Sequence, residues 1–234
     1  MRTKTHGLLR ATALGLALVL FGASCKDRPS ADAASERAPV QAALSVAPVV
    51  DDHPWVIAFL TEISITRPPG ADARLEGRTG TEGLRHPEPI IEAETREALA
   101  SALSAYEALH PRPPELWPVW QRDPFGPGER VAWRLYFVDR ARGFAVDAEA
   151  RAGIQRHDHG PSVHVQLGPA QSERFAALTQ AHVGQRVAVV LENEVVMLPV
   201  VMAPILDGDI QLIAKPSQDP ELTAPDLLAR LTGK

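Results

Sequence analysis

The chain has 234 residues, 45% of them hydrophobic, with a single cysteine and a formal net charge of −5. That length supplies one good core and argues for one folded unit, or at most two small ones. One cysteine excludes an intrachain disulfide, and an acidic balance without a basic run excludes the concentrated positive face that nucleic acid requires.

Taken in order, the chain opens with Arg2, Lys4 and Arg10 ahead of an uncharged run, residues 11–24, that ends at Cys25. A basic start followed by an apolar run too short to cross a bilayer is the pattern of a signal peptide, here residues 1–24. Gly22-Ala23-Ser24-Cys25 resembles a bacterial lipoprotein box, although Gly22 stands where an aliphatic residue is usual. The resemblance implies cleavage before Cys25 and a lipid on its sulfur, so Cys25 is the expected lipidation site. The alternative is ordinary secretion with cleavage after Ala31-Asp32-Ala33. Either route leads out of the cytoplasm, to the cell envelope. Loss of residues 1–24 leaves 21 basic against 29 acidic side chains, a formal charge of −8. No second apolar run reaches membrane-spanning length, so the lipid on Cys25 is the expected membrane contact.

Residues 25–52, rich in Ala, Ser and Pro, predict a flexible tether. The folded part is expected over residues 53–215. Residues 54–65 predict a buried strand, and residues 66–89, dense in Pro and Gly, a long loop that favours disorder. A helix is predicted over residues 90–109, from the stripe Ile91, Thr95, Leu99, Ala102, Leu103, Tyr106 and Leu109. Residues 113–128 hold Trp117, Trp120 and five prolines and read as a stiffened loop, either a preorganised recognition surface or a cover over the core. Val131, Trp133, Leu135 and Phe137 alternate as a strand. Residues 144–153 suggest a short helix.

The signals then become mutually consistent. Val163, Val165 and Leu167 alternate as a strand, and Pro169 opens a helix that runs through about His182. Gly184 falls where a left-handed turn follows, and residues 187–191 form a β-branched strand covered on both faces. Glu192-Asn193-Glu194 turns the chain into a strand over residues 195–198, which Pro199 ends. A last strand covers residues 210–213. Residues 216–234 form a tail with a short amphipathic piece at 226–231. The fold class is α+β, a small mixed β-sheet with helices packed on one face.

No chemistry stands out. His157, Asp158, His159 and His164 are the one set that suggests a metal, yet a catalytic zinc needs three fixed ligands and a second shell. A solvated turn explains them, so no metal and no cofactor is expected. There is no Gly-x-Ser-x-Gly elbow and no phosphate-binding glycine loop. The protein therefore reads as a non-enzymatic binding module.

Phe175-Ala176-Ala177-Leu178-Thr179, the run from Val183-Gly184-Gln185-Arg186 to Leu191, Val196-Met197-Leu198-Pro199-Val200-Val201 and Pro204-Ile205 through Gly208 carry a further signal. In this order they resemble the periplasmic P1 head subdomain of the SecD/SecDF protein-export subunit, over about residues 90–214. No catalytic motif comes with the resemblance, and the membrane helices through which that family couples protein movement to proton flow are missing from this sequence. The resemblance implies a detached head module that handles polypeptide outside the membrane. Fold alone does not fix that role.

Two binding surfaces are expected. One is Met197, Leu198, Pro199, Val200, Val201 and Pro204, where a proline-broken strand end could accept an extended chain by strand addition. The other is Trp117 with Trp120. The alternatives are a structural or assembly subunit of an envelope complex, and a metal-dependent hydrolase around His157 and His159. The sequence leaves the partner, the membrane leaflet and the oligomeric state open.

Overall fold

A computed structural model describes residues 37–79, 85–126, 130–157, 160–213 and 223–233. The signal segment and Cys25 lie outside these residues. The class is α+β, as expected, but the described residues form two sheets and four helices. The strands are β1 (Ala38–Pro39), β2 (Leu44–Pro48), β3 (Ala71–Thr79), β4 (Arg85–Ala93), β5 (Leu116–Gly126) and β6 (Arg130–Asp139). They continue with β7 (Phe144–Ala145), β8 (Arg151–His157), β9 (Gly160–Gln166), β10 (Val187–Leu191), β11 (Glu194–Met197) and β12 (Asp209–Leu212). The helices are α1 (Pro54–Thr66), α2 (Arg96–Leu109), α3 (Pro169–Ala181) and α4 (Ala224–Thr232).

The amino-terminal half differs most from the sequence reading. Residues 54–65 are helix α1, not a strand. Val56, Phe59, Leu60 and Ile63 are the buried positions, spaced as one helical stripe. His53 caps the helix by accepting from the Trp55 amide at 3.1 Å, and Pro54 sits in the first turn, where its missing amide costs nothing. Residues 71–79 and 85–89, read as a disordered loop, and residues 90–93, read as helix, form the β3–β4 hairpin. The Glu94 amide bonds the Gly70 carbonyl, and in the observed register this puts Pro87 and Pro89 at positions whose nitrogens face away from β3. On that outer side β6 pairs only with Glu92 and Ala93, so the prolines remove no ladder bond. The helix predicted from residue 90 begins at Arg96, capped by the Thr95 hydroxyl, because Ile90 to Ala93 belong to β4.

The proline-rich segment around Trp117 is also a strand. The Phe137 carbonyl accepts from Val50 rather than from β5, so Pro118, opposite Phe137, sits where β6 asks for no amide. Residues 37–52 are not tether: β2 lies between β10 and β7 with Leu44 and Val46 fully buried. Two such side chains contribute about 1.5–3 kcal/mol each, which outweighs the weak signal of an Ala- and Ser-rich run. Residues 144–153 hold β7 and the start of β8 rather than a helix, with Phe144 buried against Phe175 at a ring distance of 6.4 Å.

The larger sheet has the order β3-β4-β6-β5-β11-β10-β2-β7. It closes on itself, because Val49, just beyond β2, bridges Val138 of β6 and the Val50 amide bonds the Phe137 carbonyl. The result is a small barrel of β6, β5, β11, β10 and β2 filled by Ala47, Val49, Val119, Tyr136, Val138, Ala188, Val190 and Val195. Apart from one tyrosine its buried side chains are alanine and valine, as the short radius demands, and Trp117 and Leu198 pack against them. Buried Arg186 sits at one end. It holds Asp51 through two bonds of 2.5 and 3.1 Å, bonds Glu88, and lies 5.1 Å from the Tyr136 ring. Burial pulls its proton affinity down, but Asp51 and then Glu88 pull it further up, so the guanidinium stays charged.

Outside the barrel, α1 and α2 pack on β3, β4 and β6 around Phe59, Leu99, Leu103 and Phe137. The second sheet, order β1-β8-β9-β12, packs with α3 and α4 against the outer side chains of β2 and β10. The carboxyl-terminal tail docks: Leu227 and Leu231 of α4 are buried, and Arg230 reaches Glu192 and Glu194 at the β10–β11 turn.

Candidate functional site

The candidate site is a cleft of about 400 Å³ between the two sheets, beside the outer edge of β12. Its apolar wall comes from β10 (Val187, Val189), α3 (Phe175) and the segment from Met197 to Leu206. Its polar wall comes from His164 and Gln211, with Asp207 and Asp209. Few convergent polar groups on an apolar hollow are what binding pockets have in common.

The segment after β11 is fixed by backbone pairing. Val187 donates to the Pro199 carbonyl at 3.0 Å, Val201 to Gln185 at 2.9 Å and Gly184 to Val201 at 2.7 Å. Gly184 makes this approach at a φ of +81°, in the left-handed region. Farther along, the Ile205 amide donates to Thr179 Oγ1 at 3.0 Å, which pins the segment to α3. Met197, Pro199, Val200, Val201 and Pro204 therefore line the cleft, while Leu198 packs against the barrel interior. The expected strand-addition edge is not there, because the backbone of Pro199 and Val201 is already paired.

The outermost strand beside the cleft is β12; β1, β3 and β7 are the other outermost strands of the two sheets. The Leu167 amide bonds the Gly208 carbonyl, which sets Ile210 and Leu212 as the residues bonded to β9 and turns the backbone groups of Asp209 and Gln211 outward. Asp207 Oδ1 accepts from the Asp209 amide at 3.3 Å. The Gln211 amide and carbonyl face outward, and among the described residues no strand pairs there. Gly208, at φ +65°, starts the strand so close to Ser172 that a Cβ would lie 2.0 Å from its hydroxyl.

A polar chain stiffens the cleft wall. Buried His164 Nδ1 lies 2.8 Å from Asp209 Oδ2, and its Nε2 lies 3.2 Å from His157 Nε2. Asp209 Oδ1 is buried with no hydrogen-bond partner among the described residues. His159 lies outside the described residues, and among the described residues no three His, Cys, Asp or Glu side chains form a set that could hold a metal.

The two tryptophans do not share a surface. Three residues apart on β5, they point to opposite faces. Trp120 is 7% exposed and belongs to the α1–α2 core, with the Arg96 guanidinium 5.2 Å from its ring. Trp117 is half-buried at the far end of the barrel, where its Nε1 donates to Asn193 Oδ1 at 3.3 Å. Sequence reasoning missed His164, Asp209 and Thr179 as cleft residues. Thr179 follows Leu178 within the helix and so was visible as a neighbour of the stripe, but the contact of Asp209 with His164, 45 residues apart, left no local signal.

The family model of the SecDF P1 head subdomain matches residues 142–229, the stretch from the turn before β7 into α4. Among solved structures, a SecDF membrane component that enhances protein export is 14% identical, with 81% of this chain and 92% of that one covered, at a TM-score of 0.32. SecDF in a super-membrane-facing form is 15% identical over 80% of this chain and 28% of the other, with a TM-score of 0.30. The translocon-associated SecDF of Thermus thermophilus is 15% identical over 89% and 31%, with a TM-score of 0.30. The chain thus spans less than a third of these last two. No curated protein matches it. Residues 142–229 are a SecDF P1-head-like module, and among the described residues no helix is long and apolar enough to cross a membrane.

Proposed function

We propose that this P1-head-like module holds an extended segment of another polypeptide in the cleft beside β12, without chemistry, in or next to protein export. The observation that carries the reading is the conjunction of an open strand edge at Gln211 with an apolar hollow lined by Met197, Val200, Met202 and Leu206. Main-chain groups would supply affinity for any sequence, and the hollow would accept alternate apolar side chains. Asp207 and Asp209 at the same wall favour segments that also carry a lysine or arginine.

Lipidation at Cys25 would keep the module at an envelope membrane. Fluorescence anisotropy with a carboxymethylated, permanently unfolded polypeptide tests the binding reading. Saturable binding, weakened by Leu206→Asp and absent with the same polypeptide folded, is expected. Equal affinity for folded and unfolded forms would favour an assembly subunit that docks native envelope proteins.

A further inference from the structure

A second recess, of about 550 Å³, opens at the end of the barrel away from Arg186 and shares no lining residue with the cleft. Its floor is Ala47, Val119, Val138 and Val190, and Trp117, Arg140, Arg174 and Asn193 stand around it. In a chain with more acidic than basic side chains, this lining contains no Asp or Glu.

The two arginines differ from five that pair with carboxylates. Arg74, Arg112, Arg134, Arg186 and Arg230 each pair with carboxylates. Arg140 instead lies 4.2 Å from the Trp117 ring and Arg174 5.9 Å from that of Phe144, and among the described residues neither has a carboxylate partner. Stacking on an aromatic face orients a guanidinium while leaving its in-plane N–H groups free, the arrangement that suits a planar oxyanion. Asn193 adds to the same bias: its Oδ1 is taken by Trp117, which leaves its amide hydrogens as donors. The recess therefore offers donors at the rim and short aliphatic side chains below, within the size range of small-molecule sites.

We propose that the barrel mouth binds a small amphipathic anion, with its carboxylate or phosphate held by Arg140 and Arg174 and its apolar body lying over the floor of Val119, Val138 and Val190. The site is independent of polypeptide binding in the cleft. Isothermal titration of the full chain with decanoate, decyl phosphate and decylammonium tests it. Saturable binding of one or both anions, no binding of the cation, and an affinity reduced at least fivefold by Arg140→Gln and by Arg174→Gln at unchanged melting temperature are expected. The stronger of the two anions identifies the head group. Equal binding of decylammonium, no binding of either anion, or anion affinity untouched by both substitutions would overturn the proposal.

Discussion

The barrel and the four-stranded sheet solve the problem of strand edges in opposite ways. The barrel closes through Val49 and Val138, fills itself with alanine and valine, and is tied at one end by Arg186. The smaller sheet stops at β12 with Gln211 facing outward next to an apolar hollow. Closure removes the edge and gives a scaffold; an open edge is a liability unless something is meant to pair with it. On the proposed reading the barrel carries stability and the open edge recognition, and substitutions can be chosen to break that contrast.

The largest expected effect is at the barrel end. Arg186→Met leaves Asp51 and Glu88 without their cation and should cost about 3–5 kcal/mol in a denaturant titration. Trp120→Ala should cost a similar ~3–5 kcal/mol by opening the α1–α2 core, whereas Trp117→Ala should stay near 1 kcal/mol. Equal losses for the two tryptophans would contradict their placement on opposite faces of β5. Leu206→Asp should leave the melting temperature alone and weaken unfolded-polypeptide binding about tenfold, roughly 1.4 kcal/mol. The smallest effect concerns α4. Hydrogen bonds from Thr223 hold the Asp226 carboxyl below its ordinary value of 3.8. The folded value is the lower one, so the cap is intact above the unfolded value and lost as pH falls through the folded one. Thr223→Ala should remove that dependence, read as α4 amide exchange against pH.

Legibility in the sequence divides along a different line. Residues 163–213 were readable because period, helix start and turn chemistry agree locally: Pro169 opens α3, Gly184 takes positive φ, and Glu192 and Asn193 form the left-handed turn before β11. Met197, Pro199, Val200, Val201 and Pro204, expected as a strand-addition edge, instead line the cleft. Upstream, prolines spoke against strands that exist, because Pro87, Pro89 and Pro118 all sit where the neighbouring strand asks for no amide, and only the register reveals that. The apolar run of α1 fits a strand as well as a helix until His53 is seen to cap it. Barrel closure depends on Val49 meeting Val138, a contact with no local signature.

The claim that β12 is the receiving edge is tested most directly by residue-resolved amide hydrogen exchange, with and without the carboxymethylated unfolded polypeptide. The account predicts new protection at the Gln211 amide, with β5, β6 and β10 of the barrel unchanged. Binding that leaves Gln211 exchanging freely, or that protects the barrel strands instead, would contradict it.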